Sequence, residues 1–253
     1  MVPYIDLPKL DLFGLTFYPF GVLIAVALLV GYLVMGHRAK EVSFSAKNVD
    51  HIFVFTIIPA YIGSHIFEVL FYRPGKVLQD PLLLLRITDG ISSFGGMLTF
   101  LIAFTLYLRV TGNTSKWRLW ADIITQAFII GWIFGRLGCT VAHDHPGLAS
   151  NFFLAVDYPG GARHDLGFYE FLYTILLLVP ASLWIRKRNW LPGSQMAVFL
   201  ILYGPFRFLA DFLRTADVRY LGLTPGQYAG IAFFALGFVV LRWVRKPQKQ
   251  AVV

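Results

Sequence analysis

The sequence has little charge and almost no cysteine. Of its 253 residues only 14% are charged, whereas 57% are hydrophobic, and the mean hydropathy is +0.65. This composition excludes an ordinary soluble domain and indicates a membrane protein. Cys139 is the only cysteine, so an internal disulfide is excluded, and we expect its side chain to serve in packing. Neither H-E-x-x-H nor G-x-S-x-G occurs, which leaves no signature of a zincin or a nucleophile-elbow hydrolase.

Seven apolar stretches are long enough to cross about 30 Å of hydrocarbon as helices. They are Pro19–Gly36, Ile52–Tyr72, Ile91–Val110, Leu119–Cys139, Gly167–Ile185, Gln195–Leu213 and Gln227–Val244. The first stretch is expected to be a transmembrane helix and not a signal peptide, because no basic region precedes it and no small-residue cleavage site follows it. The predicted fold is an all-α polytopic membrane protein, with a single domain, 1–253, formed by a bundle of about seven transmembrane helices.

The lysine and arginine residues predict the orientation of this bundle. With the N-terminus outside, thirteen of them fall on the inner side and nine on the outer side, as the positive-inside rule requires. The loop Arg186–Arg188 and a basic cytoplasmic tail, 245–253, are the clearest inner anchors. The net charge of +8 therefore indicates attraction to anionic membrane lipid, and no nucleic-acid partner is predicted.

A charged pair lies inside the sixth apolar stretch. Arg207 and Asp211 have i, i+4 spacing and share a helix face with Tyr203, one turn earlier. A charge at this depth costs roughly 2.5–3.5 kcal/mol on insertion scales. The pair either locks two helices together or belongs to a polar site that faces the protein interior, which is the default hypothesis for an intramembrane arginine.

Other polar residues converge on the outer end of the predicted bundle. An outer-face loop region, 140–166, connects the fourth and fifth helices there. The remaining polar residues at this end are Asp89, Arg136, His164, Asp165, Tyr169, Glu170 and Arg214. A transporter would more often place polar groups at the membrane midplane within repeated halves, and no repeat is visible. The one-sided arrangement predicts chemistry on a lipid headgroup or on a substrate delivered from outside.

The segment His143-Asp144-His145 contains donors that suit a metal ion. Its spacing fixes no further ligand, and the following Pro-Gly pair marks a turn. We therefore predict no metal site and no cofactor.

Four motifs along the chain carry a family resemblance. They are Phe94-Gly95-Gly96, then Gly135-Arg136-Leu137-Gly138 with Asp144, then His164 with Tyr169-Glu170, and finally Tyr203-Gly204 with Arg207, Asp211 and Arg214. Together they resemble the bacterial prolipoprotein diacylglyceryl transferases, inner-membrane enzymes with seven helices and an outer N-terminus. The resemblance runs from about Tyr18 to Gly230.

The resemblance implies transfer of the diacylglyceryl group of phosphatidylglycerol to the lipobox cysteine thiol of a preprolipoprotein signal peptide. A thioether would form and glycerol 1-phosphate would leave. Such chemistry would take place in the bacterial inner membrane, at a site directed towards the outer leaflet and in contact with membrane lipid.

Individual positions match the family's motifs. Arg136 matches a phospholipid-binding arginine, Arg207 an essential arginine, and Tyr203 the tyrosine of the same motif. Asp144 and Asp211 stand where the family usually has glutamate, and we expect them to orient the two arginines.

The predicted site thus has two groups of residues. The predicted catalytic residues are Arg136, Arg207, Asp144, Tyr203 and His143. The predicted substrate-binding residues are Arg136, Gly95, Gly96, Gly147, Tyr169, Glu170, Asp211 and Arg214. For the glycine pair at 95 and 96, close contact between helices and close approach of a ligand both remain open.

Two positions depart from the family. Phe94 replaces the histidine often proposed as general base, and Cys139 replaces an asparagine. Either that histidine is dispensable, or His143, His145 or His164 replaces it, or the chain is catalytically silent. The alternative function is therefore a non-catalytic membrane protein that binds anionic phospholipid or lipoprotein precursors, with a small-solute transporter as a third hypothesis.

Overall fold

A computed structural model describes residues 1–12, 15–87, 90–215 and 217–245. Within these residues, seven helical spans are long and apolar enough to cross a membrane. They are Pro19–Glu41, Ala46–Tyr72, Ser93–Val110, Thr114–Ala142, Leu166–Lys187, Ser194–Leu213 and Pro225–Arg245. The predicted all-α membrane bundle is confirmed, and the observed ends differ from the predicted ones by several residues. Asp89 and all of the predicted tail except Arg245 lie outside the described residues.

The described residues contain nine α-helices, and all of them except α3 belong to the seven spans. They are α1 (Pro19–Glu41), α2 (Ala46–Phe67), α3 (Pro74–Gln79), α4 (Ser93–Val110), α5 (Trp117–Ala142), α6 (Leu166–Tyr173), α7 (Val179–Lys187), α8 (Ser194–Ala210) and α9 (Pro225–Arg245). A π-helical turn, Thr174–Leu178, joins α6 and α7 into one span, and α3 is a short helix in the connection after α2.

Polar side chains mark where three of the helices begin. The side chains of Ser45, Ser92 and Asp165 accept hydrogen bonds from backbone N–H groups in the first turns of α2, α4 and α6. Such caps satisfy N–H groups that have no partner within the helix, which matters most where water is scarce. The cap at Asp165 also sets the start of the helix that carries Glu170.

Small residues allow the helices to approach closely. A Cβ atom on Gly131 of α5 would lie 2.7 Å from the carbonyl oxygen of Ala27 in α1. One on Gly204 of α8 would lie 2.6 Å from the carbonyl oxygen of Gly230 in α9. Backbone packing of this kind is typical of membrane helices. It brings α1 against α5 and α8 against α9, and it fixes the helices that carry the polar site.

A carboxylate inside the fourth span connects two helices. Asp122 of α5 accepts hydrogen bonds from the backbone N–H groups of Gly193 and Gln195 at 2.8 and 2.9 Å, at the start of α8. The side chain is therefore an N-cap supplied by a different helix, where the helix dipole also favours a negative charge. No local sequence pattern predicts this role.

The segment 140–166, predicted as a loop region, contains strands. Strands β4 (Pro146–Ala149), β5 (Val156–Tyr158) and β6 (Gly161–Asp165) form a four-stranded sheet with β1 (Val2–Pro3) in the order β1-β5-β6-β4. Strand β1 is parallel to β5, and the other pairs are antiparallel. A separate hairpin pairs β2 (Leu10–Leu12) with β3 (Leu15–Phe17). The four-stranded sheet lies between the ends of α5 and α6, at the end of the bundle that holds the buried arginines.

Candidate active site

A chain of ion pairs connects three of the spans. A nitrogen of the Arg136 guanidinium lies 3.0 Å from a carboxylate oxygen of Glu170. The other oxygen of Glu170 lies 3.8 Å from Arg207, which in turn lies 2.8 Å from Asp211. All four residues are buried, with at most 5% of their surface exposed. Because opposite charges alternate along the chain, each buried charge has a partner.

Two hydroxyl groups complete the carboxylate contacts. Tyr203, which is fully buried, donates a hydrogen bond of 2.5 Å to Glu170, and Thr224 donates one of the same length to Asp211. The predicted grouping of Tyr203, Arg207 and Asp211 on α8 and the turn that follows it is therefore present. Its connection to Glu170 through both Tyr203 and Arg207 was not predicted.

Arg214 extends the chain towards the end of the bundle. Its Nε atom lies 3.4 Å from Asp211, and its Nη1 donates to Asp217 at 2.5 Å. Burial alone would lower the pKa of Arg214, but the two carboxylates outweigh burial, and the pKa lies above its ordinary value. Arg214 is therefore cationic at any physiological pH.

Aromatic rings form the apolar walls beside the two buried arginines. The guanidinium of Arg136 lies 4.2 Å from the ring centre of Trp132, one helical turn earlier in α5. That of Arg207 lies 5.2 Å from the ring centre of Phe94, which also contacts Phe233 at 5.9 Å between ring centres. Cation–π contacts of this kind stabilise a desolvated guanidinium. At the position of the family's usual histidine, the ring of Phe94 therefore packs against an arginine and cannot accept a proton.

Several hydrogen-bond donors in this site have no partner. Arg136 donates to Ser93 at 3.3 Å and to the sulfur of Cys139 at 3.5 Å. Among the described residues, nothing accepts from the Nε–H groups of Arg136 and Arg207 or from the indole N–H of Trp132, although all three are buried. Buried donors without acceptors are costly, so this cluster suits a ligand that brings acceptor oxygens.

The ion pair of Arg136 is with Glu170 and not with Asp144, whose charge acts on Arg136 from a greater distance. Helix α5 ends at Ala142, and His143 adopts a left-handed conformation with φ 48°, which turns the chain before Asp144. The carboxylate of Asp144 bonds to the ring of His145 instead. The structure gives Asp211, by contrast, the expected ion pair with Arg207.

His145 and Asp144 lie close to the thiol of Cys139. One ligand atom from each of these three residues lies within 4.8 Å of the others. Such a trio could in principle bind a cation. However, the cationic Arg136 donates to the same sulfur at 3.5 Å, which disfavours a second cation there. The arrangement instead places an imidazole and a carboxylate at the edge of the arginine site.

His143 has a different environment from His145. One ring nitrogen lies 3.1 Å from the carboxylate of Asp165 and the other 3.1 Å from the carbonyl oxygen of Ile5. The ring also stacks on Tyr4, with 3.9 Å between ring centres. Since both nitrogens face acceptors, neither is free to remove a proton from a substrate, which argues against the predicted catalytic role. His143 instead fastens the N-terminal segment to the four-stranded sheet.

Asp165 is the centre of this attachment. Besides His143, it accepts a hydrogen bond of 2.8 Å from the hydroxyl of Tyr158 and one of 2.9 Å from the backbone N–H of Phe168. Burial and the hydrogen bond to Asp165 raise the pKa of Tyr158 above its ordinary value. The hydroxyl therefore remains a donor throughout the physiological range.

His164 and Tyr169 form a pair outside the chain of ion pairs. The ring Nδ1 of His164 lies 2.7 Å from the hydroxyl of Tyr169. Burial lowers the pKa of His164, so the neutral ring that can accept this hydrogen bond is favoured. The structure brings neither residue into contact with Arg136 or Arg207.

The predicted glycines lie at close contacts between elements. A Cβ atom on Gly95 would lie 2.8 Å from the carbonyl oxygen of Gly63 in α2, and Gly96 also faces α2. A Cβ atom on Gly147 would lie 2.8 Å from the carbonyl oxygen of Leu213. Gly147 also forms a β-bridge with Arg214, which holds β4 against the end of the chain of ion pairs. Of the two readings for the pair at 95 and 96, the structure shows the helix contact.

Three residues whose side chains contact Arg136 or Asp211 were not predicted from the sequence. Ser93 accepts from Arg136, Thr224 donates to Asp211, and Trp132 stacks on Arg136. Only Trp132 had a visible signal, because it precedes Arg136 by four positions on the same helix face. The other two come from helix ends that are distant in sequence.

Comparison with known proteins shows the family of the chain. A model of the family described as prolipoprotein diacylglyceryl transferase matches residues 9–243. A protein of Actinobacillus pleuropneumoniae serotype 3, named phosphatidylglycerol–prolipoprotein diacylglyceryl transferase, is 27% identical over 97% of this chain and 98% of its own length. A relative with the same name from Cereibacter sphaeroides is 29% identical over 94% of each chain. Another, from Cupriavidus metallidurans, is 30% identical over 78% of this chain and 76% of its own length. The chain belongs to the prolipoprotein diacylglyceryl transferase family.

Proposed function

We propose that this protein transfers the diacylglyceryl group of phosphatidylglycerol to the lipobox cysteine thiol of preprolipoproteins. The carbon–oxygen bond between the diacylglycerol unit and the phosphate breaks. A carbon–sulfur bond forms at the same carbon, and glycerol 1-phosphate leaves. Membership of the family supports the reaction, and the names of the relatives include both phosphatidylglycerol and prolipoprotein. The proposed location is the bacterial inner membrane, with the site directed towards the outer leaflet.

The unpartnered donors of Arg136, Arg207 and Trp132 are the observation that carries this proposal. The two guanidinium groups are balanced by Glu170 and Asp211, so net charge alone does not recruit a phosphate. Free N–H groups at a buried site recruit a phosphate, because phosphate oxygens accept hydrogen bonds from them where water does not compete. The same donors stabilise the charge that develops on the leaving phosphate.

The proton of the attacking thiol also needs an acceptor. We assign this role to His145, since the ring contacts Asp144 and lies beside Cys139, which accepts from Arg136. With one ring nitrogen donating to Asp144, the other can accept the thiol proton. The thiolate then attacks the glycerol carbon and displaces the phosphate, and the proton returns to solvent or to the departing glycerol phosphate. A thiolate is a strong nucleophile, so it requires only modest further activation.

Release of glycerol phosphate tests the proposal. Purified protein is incubated with phosphatidylglycerol and a lipobox peptide, and the expected result is glycerol phosphate together with an equimolar peptide thioether. The matched control is Arg207→Ala, which removes one guanidinium group from the buried chain. No product from a wild-type protein that is folded and lipid-bound would overturn the proposed transfer.

Phe94 favours one other function. Because it replaces a proton acceptor with an apolar ring against Arg207, the site could retain phospholipid binding without turnover. This second candidate is a non-catalytic binder of anionic phospholipid or lipoprotein precursors. It predicts that the same incubation gives saturable phosphatidylglycerol binding, sensitive to Arg207→Ala, and no glycerol phosphate.

A further inference from the structure

A cavity with a largely apolar lining lies away from the candidate active site. It is a groove between α1, α5 and α7 with a volume of about 370 Å³, within the range of about 300–1,000 Å³ typical of small-molecule sites. We call it the basic-end groove. Its lining residues are Leu33, Val34, His37, Arg38, Gln126, Ile130, Leu183 and Arg186. Gln126 is ten positions from Arg136 in α5, about 15 Å along a helix, so the two sites are separate.

Two residues that line this groove each carry a buried polar atom with no partner among the described residues. These atoms are the side-chain oxygen of Gln126 and the Nε–H of Arg38. Gln126 is only 2% exposed, so water cannot easily replace a missing partner. One atom is an acceptor and the other a donor, so the complementary ligand offers a donor hydrogen and an acceptor oxygen.

The helix directions bring these two side chains towards each other. Helices α1 and α5 run antiparallel, since Gly31 lies against Ala127 and Gly131 against Ala27. Side chains lean towards the N-terminus of their own helix, so Arg38 leans into the groove from one end and Gln126 from the other. A single headgroup can therefore contact both.

Charge at the rim of the groove favours an anion. Arg38 and Arg186 share the carboxylate of Glu41, with 2.5 Å between Arg186 and that carboxylate. Two guanidinium groups therefore face one carboxylate at the rim. A second carboxylate that acts on Arg38, that of Asp122, accepts from the backbone N–H groups at the start of α8. The two guanidinium groups also disfavour a basic peptide segment as occupant. Leu33 and Leu183 at the edges of the groove are about half exposed. The acyl chains of a bound lipid can therefore extend from the groove between α1 and α7.

We propose that the basic-end groove binds an anionic phospholipid whose headgroup carries a free hydroxyl, as a resident lipid that is not transferred. The phosphate accepts from Arg38, and the hydroxyl donates to Gln126. The acyl chains lie against Leu33 and Leu183 and continue into the bilayer. This site does not depend on the transfer reaction, and it places a lipid between two helices that otherwise leave polar atoms unsatisfied.

Lipid counting by native mass spectrometry tests the proposal with purified, delipidated full-length protein. The probe is phosphatidylglycerol, and phosphatidylmethanol, which has the same charge and no headgroup hydroxyl, is the comparison lipid. Wild-type protein should bind two molecules of phosphatidylglycerol, one in each site. Gln126→Leu, which nearly preserves side-chain volume, and Arg38→Met should each weaken one of the two by about tenfold, the equivalent of one lost hydrogen bond. Arg188→Met, an exposed arginine outside the groove, is the matched control and should keep both.

The outcomes separate this site from the active site. Loss of one lipid in Gln126→Leu while Arg136→Ala keeps both would support the groove and contradict phosphatidylglycerol binding at the active site, on which the proposed function depends. Two lipids of unchanged affinity in both Gln126→Leu and Arg38→Met would overturn the groove. Equal binding of phosphatidylmethanol at the groove would overturn the hydroxyl contact. Displacement of the lipid by glycerol 3-phosphate alone would overturn a lipid as its occupant.

Discussion

The guanidinium of Arg136 lies 3.0 Å from the carboxylate of Glu170, which belongs to the next span of the bundle. Glu170 also contacts Arg207 at 3.8 Å, so a single carboxylate connects the two arginines. The arginines are therefore held at a fixed separation by a buried residue, and a phosphate that enters between them meets donors already in place.

Arg207 is expected to be indispensable for transfer. Arg207→Ala should lower turnover on the order of 10²–10³-fold, as for other donors that stabilise developing charge. Arg207→Lys should recover little, because an ammonium cannot present the planar fork that contacts both Asp211 and a phosphate. Glycerol phosphate release measures both variants. Near-normal turnover by the lysine variant would contradict the bidentate role.

Substitutions of Arg136 and Asp144 are expected to affect different quantities, the first the affinity for phosphatidylglycerol and the second the rate of transfer. Arg136→Ala should weaken phosphatidylglycerol binding, since it removes a guanidinium with an unpartnered donor. Asp144→Asn should leave this affinity unchanged and lower the rate, because Asp144 contacts His145 and has no ion pair with Arg136. Lipid titration by calorimetry, combined with rate measurements, tests the pair. An equal loss of affinity in both variants would restore Asp144 as the orienting partner.

His145 should behave as the base. His145→Gln should lower the rate by about 10²-fold or more, because glutamine cannot accept the thiol proton. The matched variant His143→Gln should keep most of the wild-type rate, since His143 contacts Asp165 and Ile5. Glycerol phosphate release measures both variants. If His145→Gln keeps the wild-type rate, the thiol is activated by the arginines alone.

His164 should affect stability in acid. Burial lowers its pKa in the folded state, so below the ordinary pKa of histidine, about 6.5, the unfolded chain binds more protons than the folded one. Stability should therefore fall as pH decreases from 7 to 5. His164→Gln keeps an acceptor for Tyr169 and should reduce this loss. Thermal unfolding in detergent at several pH values measures the loss of stability in both proteins. If His164→Gln has the same pH dependence as the wild type, His164 is not the cause.

Asp122 should contribute to the fold and not to the chemistry. Asp122→Ala removes the acceptor for three N–H groups at the start of α8 and should cost about 0.5–2 kcal/mol of stability. Asp122→Asn keeps an acceptor and should restore most of it. Transfer per folded molecule should be unchanged in both. A specific loss of turnover in the asparagine variant would point to a role of the charge itself.

Local patterns explain what could be predicted from the sequence. Hydropathy predicts the seven spans because each helix satisfies its own backbone in the membrane. Spacing predicts the pair of Arg207 and Asp211 because both lie on one helix face. The pair of Arg136 and Glu170 joins different spans, and no local pattern fixes that contact. The strands of the four-stranded sheet are two to five residues long, too short for an alternating pattern to stand out.

The parallel pairing of β1 with β5 has a consequence for the order of assembly. Val2 pairs with Val156, so four spans separate the two partners along the chain. During synthesis β1 emerges before any span, and its partner emerges only after the fourth. Closing so long a loop is entropically unfavourable until the spans between have packed. The four-stranded sheet should therefore form late, after the first four spans have packed, and the N-terminal segment that His143 contacts should remain unattached until then.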